Sequence, residues 1–169
     1  MSEIVVLRVI HIVAGVFWAG SVFFLVSFLA PTFKAVGPDA GKVFAELRRR
    51  RMFTWIPVFA VLTILVGLRL YMIRMGGSGQ WMHSHEGATL GIGAISAIIA
   101  LTIGIFGMRG PTLRAAALAT EAGPMPDGPE KGAKMAQVMA LRARATLSGR
   151  ITATLLLITV VTMAIARYL

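Results

Sequence analysis

The chain contains no cysteine, which excludes disulfides, thiolate metal sites and thiol nucleophiles. Charge is scarce too. Charged residues make up 14% of the 169 positions, against roughly 25% in soluble domains. Acid is scarcest: seven Asp and Glu stand against 17 Lys and Arg, for a net charge of +10. The sequence also lacks a phosphate loop, paired carboxylates and any Ser/His/Asp arrangement, so hydrolytic and phosphoryl-transfer chemistry has no support. What the chain has in excess is apolar residues, at 57%. That excess argues against both a soluble globule and disorder.

The apolar residues are concentrated in four runs without a formal charge: Val9 to Phe33, Met52 to Leu68, Gly87 to Met108 and Ile151 to Ala166. A membrane helix needs about 20 mostly apolar residues. Arg69, Arg150 and Arg167, which border the shorter runs, can snorkel to the interface and let a helix continue past them. We therefore expect an all-α, integral membrane four-helix bundle in a single domain, with spans at about 4–32, 50–74, 86–109 and 148–168. The first run reads as a span and not as a cleaved leader. It is too long, only Arg8 precedes it, and its basic residues follow it. None of the runs contains Asp or Glu, which argues against a proton- or cation-coupled transporter.

The basic residues are unevenly placed. Thirteen lie between spans one and two or between spans three and four, and only Arg8, Arg69, Arg74 and Arg167 lie at the other end. The positive-inside rule puts the basic loops in the cytoplasm and both termini outside. The net charge is thus a signal of topology and of anionic-lipid contact. It does not point to nucleic acid, because the basic segments carry few aromatics to stack on bases. Gly37-Pro38-Asp39 and Gly128-Pro129-Glu130 each break the chain before a basic segment, and 42–52 and 131–147 read as cytoplasmic helical extensions. The two halves therefore share a pattern that suggests an internal parallel repeat. Ala122 to Pro129 reads as a cytoplasmic loop, and Gly76-Gly77-Ser78-Gly79 as a flexible outer one. Gly87, Gly91 and Gly104 on span three are expected to permit close helix contact.

The residues left for chemistry are three histidines, all expected on the outer side. His11 lies about 10 Å inside span one at 1.5 Å per residue. His83 and His85 flank Ser84 just before span three. A neutral imidazole within a membrane helix suits heme iron or copper. Gly15, one turn from His11, offers a flat face to a macrocycle, and Arg8 and Arg69 offer charge-assisted bonds to propionates. His85, His83 or Met163 can supply a second axial ligand. Copper is the alternative, with His83-Ser84-His85 beside Met82 as a surface site. The third reading is a cofactor-free accessory subunit that packs into a larger membrane complex or a homo-oligomer.

The segment Leu7-Arg8-Val9-Ile10-His11-Ile12-Val13, with Val16-Phe17-Trp18-Ala19-Gly20 after it, resembles the first helix of the bacterial CopD/HemJ-like membrane proteins. Ala30-Pro31 and the basic helix into span two also fit that group. The resemblance covers about the first 75 residues; the second half is similar only in architecture. In the HemJ-type proteins the matching histidine is implicated in binding heme b, which implies that role for His11 and a bacterial inner-membrane location. Where that group has a Pro-Arg pair, this chain has Val26-Ser27, so porphyrinogen oxidation is not carried over. CopD proteins are linked to copper handling and are longer; this chain resembles their core.

Overall fold

In a bilayer each backbone N–H and C=O must find its partner inside the protein, and long apolar runs solve this by forming helices. The computed structural model describes residues 2–77 and 79–169, with Pro38 described by its backbone alone. The described chain folds into six helices: α1 (Glu3–Val36), α2 (Ala40–Arg49), α3 (Met52–Met75), α4 (Gly79–Met82), α5 (His85–Ala122) and α6 (Pro129–Tyr168). Of these, α1, α3, α5 and α6 are long and apolar enough to cross a membrane. They alternate in direction and form a ring, α1 on α3, α3 on α5, α5 on α6, and α6 back on α1.

Two kinds of surface identify the solvent. Val13, Val16, Phe28, Leu65, Ile95 and Phe106 are each at least 60% exposed, a large apolar surface facing outward. The buried seams, by contrast, use small residues. Trp18, Ala19, Val22, Ala60, Ala97, Ala100 and Leu156, from all four spans, form the core. Small residues let membrane helices approach closely, because lipid supplies no hydrophobic force to drive them together.

Three of the spans contain a proline near the basic end: Pro31, Pro57 and Pro111. Proline has no N–H for the carbonyl four residues back. In α1 and α5 the helix answers by widening into a π turn just before it, at Leu25–Leu29 and Gly104–Arg109. Each helix then continues, so α1 runs to Val36 and α5 to Ala122, past the ends expected at 32 and 109. The two turns lead into matching segments, Ala30-Pro31-Thr32 and Gly110-Pro111-Thr112. In both, the threonine hydroxyl donates to the carbonyl four residues earlier, Thr32 to Phe28 at 2.7 Å and Thr112 to Met108 at 2.6 Å. These segments are a stronger mark of two related halves than the Gly-Pro-acid turns.

The halves differ at their basic segments. Arg51, in the left-handed region at φ 58°, separates α2 from α3, so the expected helix over 42–52 stops at Arg49 and span two starts at Met52 and not at residue 50. In the second half, the basic segment and span four are one unbroken helix. Pro111, Ala115 and Ala122 of α5 are buried, as are Val138 and Gly149 of α6, so a helical hairpin projects from the basic end. Ala122, expected in a loop, is thus the buried last residue of α5, and the loop spans residues 123–128. Ser78 of the expected outer loop lies outside the described residues.

Candidate functional site

His11 lies in the seam between α1 and α3. Its Nδ1 donates to the main-chain carbonyl of Thr63 at 2.8 Å. That carbonyl also takes the helix's own bond from the Gly67 amide. Gly67 makes the room: a Cβ there would stand 2.7 Å from His11 Cε1. Beside them the Thr63 hydroxyl is buried and has no hydrogen-bond partner. A Cβ on Gly15 would lie 3.5 Å from Thr63 Cγ2, so the face expected to receive a macrocycle is filled by Thr63.

The other expected residues have surroundings of their own. Met163 packs on the α5–α6 seam, 3.4 Å from where a Cβ of Gly93 would be. Arg69 pairs with Glu3, Nη2 to Oε1 at 2.9 Å, and Arg8 is exposed with no acid partner among the described residues. His83 and His85 are both exposed. Between them the Ser84 hydroxyl caps α5, accepting the Gly87 amide at 3.1 Å and donating to the Trp81 carbonyl at 2.7 Å. Arg74 and the Trp81 indole both bond Glu86, and the Tyr71 hydroxyl donates to the Gly87 carbonyl. A Cβ on Gly87 would fall 2.1 Å from the Trp81 carbonyl oxygen, so this glycine serves the loop and not a helix seam. Gly91 and Gly104 do face neighbouring spans, at Tyr71 of α3 and Thr152 of α6, and the tightest approaches are at Gly93 and Gly107, which face Thr162 and Ser148 on α6. Among the described residues, no three His, Cys, Asp or Glu side chains converge to hold a metal ion.

The basic end holds a second feature that the sequence reading missed. Pro57 removes the amide that would bond the Phe53 carbonyl. Arg109 of α5 fills the vacancy, Nε donating to Phe53 O at 2.6 Å. Around this contact lies a small, partly open cavity of about 50 Å³, lined by Trp18, Leu25, Pro57, Met108 and Thr152 among others. The signal available in sequence was a proline six residues into a span together with an arginine at the end of the next one.

Electrostatically the two ends differ. Five of the seven acids and 13 of the 17 basic residues are at the basic end, a balance of +8 there and +2 at the end with the termini. Glu46 and Asp127 stay ionised. The hydrogen bond from Arg49 holds the Glu46 carboxyl below its usual range, and the one from Lys131 does the same for Asp127. Even so, Lys34, Arg48, Arg51, Arg114, Arg142, Arg144 and Arg150 form no ion pair among the described residues. No known family model, curated protein or solved structure matches this chain.

Proposed function

We propose that this chain is a multi-pass subunit of the bacterial inner membrane, termini outward, that binds a b-type heme near its outer face with His11 as the axial ligand. The carrying observation is the bond from His11 Nδ1 to the Thr63 carbonyl. A carbonyl oxygen only accepts, so Nδ1 holds a proton, and in the tautomer this selects the lone pair is on Nε2. Metal-binding histidines are oriented in this way, the other ring nitrogen donating to a carbonyl or carboxylate. Arg8, three residues before His11 and without an acid partner among the described residues, suits a propionate. Arg69 would first have to leave Glu3.

With Gly15 filled and Met163 on another seam, the group would lie along the outer surface of α1 and α3. A second ligand would then come from His85 or His83 at the same end, from another copy or from a larger complex. When bound, the heme would supply a one-electron couple; the chain's part is to hold the imidazole in one tautomer against α3. The test is the visible spectrum of protein purified from heme-sufficient cells. A Soret band that His11→Ala abolishes or shifts supports the assignment, as does a high-spin, five-coordinate signature for the isolated chain. No heme in the wild type, or an unchanged spectrum in the variant, defeats it.

One observation favours a second reading, the cofactor-free accessory subunit. The imidazole already packs against Gly67 and is bonded to α3, so it can serve to lock the two helices. A colourless protein whose thermal stability falls on His11→Ala selects that reading.

A further inference from the structure

At the basic end, residues of α3 and α5 line a shallow groove on the outside of the bundle. Its walls are Pro57, Val58, Val61 and Ile105, with Thr54 and Arg109 at its rim. Val58 and Val61 are 47% and 42% exposed, so this apolar surface faces the surroundings and not a packed neighbour. Arg109 stands at the junction of two environments, immediately after the uncharged run Gly87 to Met108. Among the described residues it makes one hydrogen bond, through Nε to Phe53, and no ion pair. Its two Nη groups are left with four N–H donors and no protein acceptor. No acid borders the groove.

An unpaired guanidinium over an apolar slot matches one kind of molecule, an acidic head on a hydrocarbon chain. We propose that this groove is a binding site for an anionic phospholipid of the leaflet on the basic side. One acyl chain lies along Pro57, Val58, Val61 and Ile105, and the headgroup phosphate takes a forked pair of hydrogen bonds from the Arg109 Nη groups. Such planar, two-point contacts to phosphate are what arginine forms and lysine does not. The preference for an anionic over a zwitterionic head follows from the surplus of +8 at this end. The bond to Phe53 fixes the guanidinium before the lipid arrives, so little side-chain freedom is lost on binding. The site is independent of the heme reading: it lies at the other end of the spans from His11 and uses none of its residues.

Native mass spectrometry and thermal unfolding of the full chain in detergent, titrated with phosphatidylglycerol or phosphatidylcholine, test the proposal. The wild type should retain phosphatidylglycerol at least tenfold more tightly than phosphatidylcholine and unfold at a higher temperature with it. Arg109→Gln keeps a donor for Phe53 but loses the charge, and should reduce that selectivity to within about threefold. Val61→Trp leaves Arg109 in place and blocks the slot, so it should lose the bound phosphatidylglycerol. If Arg109→Gln fails to fold, the Val61→Trp result alone decides. Equal retention of both lipids by the wild type, or undiminished phosphatidylglycerol binding by Val61→Trp, overturns the site. So does a cross-linked dimer of this chain closed over the same face without lipid.

Discussion

His11 is conspicuous in sequence because an imidazole is rare in an apolar span. Its partner is not, since a main-chain carbonyl carries no residue signature. The space beside it is set by one missing methyl group at Gly67. Gly67→Ala would put a Cβ 2.7 Å from the ring, which must then leave the seam and give up Thr63. Overpacking of this kind costs about 1–3 kcal/mol. We expect a clear drop in unfolding temperature in micelles for Gly67→Ala. Gly20→Ala, whose added Cβ meets nothing within 4 Å, is the control and should be neutral or slightly stabilising. Equal behaviour of the two variants would refute the close imidazole contact.

At the scale of the element, the prolines inside the spans change the helix's hydrogen bonding and do not end it. The uncharged run Gly87 to Met108 gives a span that ends near Arg109, and Pro111 follows two residues later, where a helix commonly stops. The π turn absorbs the lost amide, and α5 runs on for more than three turns. At Pro57 the solution is tertiary, because a side chain from the next span replaces the missing donor. This makes a coupling prediction. Arg109→Ala leaves the Phe53 carbonyl without a partner and should cost about 1–3 kcal/mol. With Pro57→Ala the backbone amide returns, and the same change should cost clearly less. A double-mutant cycle by thermal unfolding measures the difference, and additive costs would break the link between the two residues.

At the scale of the whole molecule, the spans and their charges define an oriented object. Because the chain has no cysteine, single introduced thiols report side unambiguously. Gln80, exposed in α4, and Pro126, exposed in the loop of the projecting hairpin, lie at opposite ends. Gln80→Cys should react with an impermeant maleimide added to intact cells, and Pro126→Cys only after lysis. The reverse pattern would turn the molecule over and place His11 toward the cytoplasm. Ala122 is unsuitable for such labelling, since it is 1% exposed and a thiol there would be protected by packing, whichever side it faces.

The sequence by itself determined that the chain is helical and has four segments fit to span a membrane. Those properties depend on run length, hydropathy and the count of charges along the chain, all of which are local or additive. It also determined which polar residues are unusual, His11 and the terminal arginines among them. The tertiary structure decided what those residues meet. Gly15 and Gly67 read alike in sequence, yet one accommodates Thr63 and the other His11. Met163 and His11, at similar depth along their spans, lie on different seams because α6 turns Met163 toward Gly93 of α5 while α1 turns His11 toward Gly67 of α3. Arg109 reads as one more topological charge until α3 and α5 set it beside a carbonyl that Pro57 has left open. Contacts across helices depend on rotation and register, and an apolar span that is hydrophobic all round does not encode these in any period.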